Sequence, residues 1–205
     1  MYLKHTPSII NPLAKDLVFD LPNDRKAIYV TFDDGPHPVI TPEVLRLLDQ
    51  HEVKATFFLI GKHAEAHPGI VGQILDKGHS IGTHGYDHLS GWKTNNEDYI
   101  ADIARSRKSV DSTLFRPPYG EITLAQSKAL KEDYSIVMWT DLSADWDDKY
   151  SIDDCFRFAT HKVKPGSIIV FHDSEKARPR MLATLEKALE FYTEQGYAME
   201  AIPMR

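Results

Sequence analysis

The stretch AIYVTFDDGPHP, Ala27 to Pro38, runs six largely apolar residues into two adjacent aspartates and then a Gly-Pro pair. Its apolar part is continuous rather than alternating, the pattern of a strand covered on both faces, and such strands belong to parallel sheets. Two like charges at the end of a buried strand need a reason. Turn formation is one, since Asx residues followed by Gly and Pro make turns, and Asp33 and Asp34 fit that pattern.

Six further apolar runs follow, most of them continuous like the first: ATFFLI (55–60), HSIGTH (79–84), STLF (112–115), SIVMWT (135–140), SIIVF (167–171) and YAMEAI (197–202). Helical patterns separate them. TPEVLRLLDQHE reads as a helix capped by Thr41 with Pro42 at its first position and Val44, Leu45 and Leu48 on one face. TNNEDYIADIARSRKSV opens with Thr94 and Glu97 at capping-box spacing. ITLAQSKALKE, SIDDCFRFATHKV and PRMLATLEKALEFYTEQG follow, the last stopping at Gly196. Strand and helix alternate without a Gly/Ser-rich linker, which predicts an α/β fold wound in one direction. A (β/α) barrel with about seven parallel strands, complete or not, is the leading architecture, and a doubly wound open sheet is its rival.

The 205 residues suit one domain, residues 1–205 with a core over about 27–202. Apolar and charged fractions of 42% and 26% are those of a globular protein. A net charge of −6 argues against nucleic acid or anionic membrane as partner, because phosphate contacts need clustered Lys and Arg. Cys155 stands alone, so no disulfide forms within the chain, and it reads as a small buried residue. No window approaches the roughly 20 apolar residues of a membrane span. MYLKHTPSIINPL, residues 1–13, lacks the apolar region of a secretory signal. As written the chain is cytoplasmic, unless a leader was removed. Oligomeric state is not legible.

In barrels, chemistry collects at the C-terminal ends of the strands. Asp33 and Asp34 follow the first run, His84 and His88 the third, Arg116 and Tyr119 the fourth, Asp141 and Asp145 the fifth, and His172 and Asp173 the sixth. Five run ends of seven therefore carry ionisable groups, where turn chemistry alone would favour Gly, Asn and Ser. His84 and His88 are four apart, so a helical turn would aim both imidazoles at one cation. His63 and His67 have the same spacing but sit past a helix start and before Pro68, and they read as solvated helix residues. The pair at 84 and 88 needs a third ligand, which an Asp at another strand end would supply. If one neighbour of the Asp pair binds that cation, the other is free to act as a base, and the cation relieves their repulsion.

TFDDGP (31–36), HGYDH (84–88), RPPYG (116–120), DLSADW (141–146) and VFH (170–172) resemble, in order, the five motifs of the NodB-homology polysaccharide deacetylases, carbohydrate esterase family 4. The resemblance spans residues 27 to about 202 and implies a distorted (β/α) barrel. It implies Asp33 as general base, and Asp34, His84 and His88 as ligands of a divalent metal, usually zinc, with cobalt or nickel as alternatives. Arg116 would steady Asp33, and the Tyr119 N–H would help bind the oxyanion. Asp145 would orient His172, the general acid, while Trp146 and Val170 would shape the substrate pocket. Such a set suits hydrolysis of an unactivated acetamide, which needs a polarised carbonyl, an activated water and a proton for the departing amine.

This chain departs from the pattern at Gly85, where many members have Ser or Thr, at Leu89 in place of Pro, and at Val170 in place of Leu. Taken one at a time the residues have plainer readings. Arg116 reads as a surface charge before a Pro-Pro turn, His172 as a core histidine, and Asp145 and Trp146 as a cap and a packing residue. Asp141 rivals Asp145 for orienting His172. Tyr86 and Trp92 read as half-buried packing residues, with stacking on sugar faces as the other reading. Taken jointly, the motifs imply a metal-dependent hydrolase acting on N-acetylated glycans of the chitin or peptidoglycan type. The alternatives are an O-acetyl esterase of the acetylxylan type, a non-catalytic carbohydrate-binding barrel and, remotely, an iron oxygenase. So short a chain leaves little for long loops around the site, and an open groove is expected.

Overall fold

The computed structural model describes His5 and residues 15–204. Apart from His5, the leader reading of residues 1–13 lies outside the described residues. The elements are β1 (Leu17–Val18), β2 (Ala27–Asp33), α1 (Ile40–Gln50), β3 (Thr56–Leu59), α2 (Gly61–Ala66), α3 (Pro68–Asp76), β4 (Ser80–Thr83), α4 (Asn96–Ser106), β5 (Leu114–Phe115), α5 (Leu124–Leu130), β6 (Ser135–Val137), β7 (Asp141–Leu142), α6 (Ile152–Thr160), β8 (Ile168–His172), α7 (Arg178–Glu194) and β9 (Ala198–Met199). A 3-10 turn over Pro118–Gly120 precedes α5.

All ladders between these strands are parallel, in the order β1-β6-β5-β4-β3-β2-β8-β7, with β9 beside the start of β2. Consecutive strands are neighbours from β2 through β6 without a reversal, so the sheet is singly wound and the doubly wound alternative is excluded. The sheet curls into a half-barrel open between β1 and β7. Isolated antiparallel bridges, His5–Asp141 and Asp20–Ser167, lie on that side. The seven expected strands are all present. β1 and β7 were not expected, because two residues are too few to show a hydrophobic pattern.

Alternation along β2 decides what faces where. Ile28, Val30 and Phe32 pack with Val44, Leu45 and Leu48 of α1 and with Leu185 and Leu189 of α7. Tyr29 turns the other way, against Phe58, Leu114, Val137 and Ile168 inside the barrel. Successive strand residues point to opposite faces, so Thr31 and Asp33 share the interior with Tyr29. On β3, Phe57 belongs to the outer cluster and stacks on Phe32 at 4.9 Å, while Phe58 fills the inside. Burial of each such ring contributes about 1.5–3 kcal/mol. Gly82 of β4 makes room for it: a Cβ there would lie 2.6 Å from the Phe58 ring.

Two expected caps are elsewhere. Thr41 lies inside the first turn of α1, whose N-cap is Val39. Its hydroxyl accepts the His37 N–H at 2.8 Å and donates to the Asp173 carboxylate, a charged acceptor, instead of capping the helix N–H groups. For α4 the cap is Asn95 rather than Thr94: its side chain accepts the Asp98 N–H at 3.0 Å, a frame that puts both Glu97 and Asp98 in the first turn. Capping boxes form at Thr123–Gln126 and Ser151–Asp154. Gly196, at φ +72°, stops α7 as expected. Cys155 is buried and free. No helix among the described residues is long and apolar enough to cross a membrane.

Candidate metal and acid–base site

Asp33 is the last residue of β2, faces inward and is 4% exposed. Arg116, directly after β5, is fully buried beneath it. Its Nη1–H donates to Asp33 Oδ1 at 2.7 Å and to Thr31 Oγ1 at 2.8 Å; Nε and Nη2 donate to the carbonyls of Val137 and Met138 at 3.2 and 3.1 Å. The guanidinium lies 4.0 Å over the Phe58 ring. The plain reading of Arg116 as a surface charge is thus corrected: a charge this deep is tolerated only when paired and fully hydrogen-bonded. Burial alone would raise the Asp33 carboxyl, but the Arg116 guanidinium, with His84 and His172, outweighs it and holds the carboxyl below the usual range. Burial also pulls Arg116 down, from a starting value so high that it stays charged.

Asp34 takes the left-handed conformation, φ +82°, uncommon for a residue with a side chain. Its carboxylate thereby leaves the line of β2. Oδ1 lies 3.4 Å from His88 Nε2 and 4.0 Å from His84 Nε2, and the three donor atoms are all within 4.8 Å of one another. His84 follows β4 and donates its Nδ1–H to the Arg116 carbonyl at 2.8 Å, which leaves the Nε2 lone pair facing Asp34. Burial lowers His84, and burial with His84 as neighbour takes His88 down to about 4, so both imidazoles are neutral near pH 7. Ligands about 2.0–2.2 Å from a tetrahedral zinc stand roughly 3.4 Å apart, close to the separations here, and two imidazoles with one carboxylate are a zinc donor set. The residues fit the ion.

The helical turn expected for His84 and His88 is not what joins them. Residues 84–88 form a loop with left-handed Gly85 (φ +74°) and His88 (φ +60°), and Asp102 of α4 clamps it by accepting the N–H groups of Tyr86 and Asp87 at 2.8 and 2.9 Å. A Cβ on Gly85 would approach Asp102 Oδ2 to 2.8 Å, so the departure from Ser or Thr is matched to this clamp. Leu89 packs against the cluster of Tyr99, Ile103 and Phe115. The pair on a helix is the other one. His63 lies in α2 and His67 is its C-cap, both partly buried rather than solvated. His63 donates its Nδ1–H to the Asp34 carbonyl at 2.9 Å, because α2 starts just after β3 and so lies over the β2 end.

His172 closes β8, in register with Asp33. Its Nδ1 lies 2.8 Å from Asp145 Oδ1, and its backbone N–H donates to Asp145 Oδ2 at 2.9 Å. Burial would lower this imidazole, but the fully buried Asp145 carboxylate pushes it up to about 9. Asp141 does not compete, for its Oδ1 takes the Nδ1–H of His5 at 2.9 Å. The Trp146 ring packs on His172 at 4.4 Å between centroids, and the Tyr119 ring meets His88 edge-on at 4.6 Å. Tyr119 is left-handed, φ +61°, and exposed. Val170 is fully buried in β8, paired with Thr31 and Leu142. Tyr86 is buried under the Arg105 guanidinium, whereas Trp92, expected half-buried, is 68% exposed.

Three neighbours, Asp173, Thr41 and His63, were given no part in the site by the sequence reading. Asp173 is fully buried, pushed up to about 7 by that burial, and accepts the Gly35 N–H at 3.0 Å and the Thr41 hydroxyl. It thus braces the turn that carries Asp34. Its place at a strand end was a signal; Thr41 was masked by its fitness as a cap, and His63 carried nothing beyond its spacing.

Comparison with known proteins follows the same lines. The family model described as Polysaccharide deacetylase matches residues 20–134, which hold Asp33, Asp34, His84, His88 and Arg116. A peptidoglycan-N-acetylglucosamine deacetylase of Bacillus cereus is 36% identical over 189 residues, covering 88% of this chain and 88% of that protein. A chitooligosaccharide deacetylase of Azorhizobium caulinodans is 31% identical over 199 residues, 88% of this chain and 94% of that one. Among solved structures, the Bc1960 peptidoglycan N-acetylglucosamine deacetylase in complex with 4-naphthalen-1-yl-N-oxidanyl-benzamide superposes with a TM-score of 0.88 at 32% identity, over 97% of this chain and 95% of that one.

Proposed function

Because the chain belongs to the polysaccharide deacetylase family, we propose that it is a metal-dependent hydrolase removing acetyl groups from N-acetylglucosamine-type glycans, of chitin-like or peptidoglycan kind. One observation carries the reading: an ionised carboxylate held by a buried guanidinium, and an imidazolium held by a buried carboxylate, end adjacent strands beside a three-donor cluster.

Asp34, His84 and His88 would hold the ion, zinc first by donor type, with cobalt or nickel as alternatives. When bound, it supplies Lewis-acid polarisation of the acetyl carbonyl and acidifies water. Asp33 accepts the proton of the attacking water, and Arg116 keeps that carboxylate ionised and fixed in direction. The Tyr119 N–H donates to the oxygen that gains charge. His172, protonated near pH 7, gives its Nε2 proton to the amine nitrogen as the C–N bond breaks, and Asp145 holds the ring by Nδ1. An amine is a poor leaving group until protonated. Trp146 and Val170 bound the acetyl pocket.

Acetate release tests the reading on N-acetylglucosamine oligomers, peptidoglycan strands and acetylated xylan, each with and without chelator. Release from either N-acetylated glycan, abolished by chelator and restored by zinc, is expected. Faster release from xylan would make it an O-acetyl esterase. Zinc-loaded protein inactive on all three would leave a binding barrel.

A further inference from the structure

The loop between β7 and α6 delivers the partners of His172, and it does so through a strained backbone. Ala144 is fully buried and left-handed, φ +59°, a conformation that a residue with a side chain keeps only where its surroundings enforce it. The Asp147 N–H closes a turn on the Ala144 carbonyl at 3.0 Å. Both carboxylate oxygens of Asp145 are directed at His172, and the Asp145 N–H meets the Ser143 hydroxyl only at 3.4 Å. The short bond to this backbone comes from another element. Arg180, in the first turn of α7, donates its Nε–H to the Asp145 carbonyl at 2.8 Å. Its guanidinium is half-buried and held a second time, where Nη2 donates to the Lys176 carbonyl at 3.2 Å.

That carbonyl belongs to the peptide joining Asp145 to Trp146. A peptide unit is planar, so fixing its carbonyl fixes the Cα on each side. One of those carries the carboxylate 2.8 Å from His172 Nδ1, and the other carries the indole packed 4.4 Å from the imidazole. We propose that Arg180 is a positioning residue for the general acid, holding the Asp145–Trp146 peptide so that both side chains keep the His172 ring aimed with Nε2 at the departing amine. The assignment rests on the deacetylase reading above. α7 follows β8, whose last residue is His172, so the guanidinium ties the loop that orients the acid to the helix that follows it. Among the described contacts Arg180 bonds neither His172 nor the metal ligands, and its effect travels through that peptide. A cationic donor makes the bond stronger than a neutral one, and proton transfer depends steeply on where the acid is held.

Two measurements on zinc-loaded protein test this. The first compares acetate release from an N-acetylglucosamine tetrasaccharide with release from 4-nitrophenyl acetate, whose leaving group departs without a proton. Arg180→Met keeps the length of the side chain and removes its donors; it is expected to lower kcat about tenfold on the amide and about twofold or less on the ester, with KM and zinc content at wild-type levels. Arg180→Lys should recover most of the amide rate, since an ammonium also donates to a carbonyl. Equal losses on both substrates, an undiminished amide rate, or no recovery by lysine would overturn the positioning role. The second measurement needs no turnover: NMR follows solvent exchange of the His172 Nδ1–H, expected to be about tenfold faster in Arg180→Met as the pair loosens. An unchanged exchange rate would overturn the assignment whether or not acetate is released. Faster exchange in a protein whose unsubstituted form releases no acetate from N-acetylated glycans keeps Arg180 as the brace and removes the deacetylase reading alone.

Discussion

His63/His67 and His84/His88 share one spacing and have opposite fates. The first pair sits on and just past a helix, the arrangement that four-residue spacing predicts, yet only His63 reaches the site, and it does so to hold a backbone carbonyl. The second pair is on no helix, and its rings stand 4.9 Å apart at the mouth of the barrel. What separates them is the strand beneath. β4 delivers His84 to the interior end of the sheet, and a loop with two left-handed residues folds His88 back onto it. Ligand spacing in sequence is weak evidence; the place where a strand ends is strong evidence.

The contrast breaks most visibly at His84. His84→Ala should lose zinc by elemental analysis and lose kcat/KM by on the order of 10³-fold, the loss of several kcal/mol of Lewis-acid stabilisation. Retained metal would mean that the cluster is not the site. Asp33→Asn sharpens the division between the two aspartates: zinc content should stay at the wild-type level while kcat falls about 10²–10⁴-fold, as for a lost general base. A protein that instead loses zinc would show Asp33 to be the ligand.

A third imidazole extends the comparison, because His88 is held down to about 4 and His172 is pushed up to about 9. The acid is active protonated, so activity should fall as pH rises through its pKa. Asp145→Asn removes the main charge that raises it, and the alkaline limb of the kcat/KM profile should move to lower pH, with kcat down about 10–100-fold. An unmoved limb would detach His172 from the acid role. The smallest effect belongs to the other pair. His63→Ala should weaken zinc about tenfold or less in a chelator competition, at the low end for groups that orient a ligand. His67→Ala should change nothing, and a loss there as large as at His84 would erase the distinction.

Much of this was legible. The runs at 27–32, 55–60, 79–84 and 167–171 are strands because both their faces are covered, and burial on both sides leaves an unbroken apolar signature. β1 and β7 are held by their neighbours rather than by their own composition, so nothing local announced them. At the site, residue types at strand ends picked out Asp33, Asp34, His84, His88, Arg116 and His172 together, but not which contacts each would make. That Arg116 stacks on the Phe58 ring, that Thr41 leaves the cap for Asp173, and that Trp92 stands in water are matters of tertiary placement, which propensity does not encode.

The inward facing of Asp33 has a consequence for how this chain tolerates length changes. Side chains alternate along β2, so one residue inserted or deleted between Ala27 and Phe32 would exchange inside for outside at every later position of the strand. Such a change would point the carboxylate that pairs with Arg116 at the outer helices. The turn after the aspartates is no freer, because Gly35 rests on Asp173 and a Cβ there would lie 2.2 Å from that carboxylate.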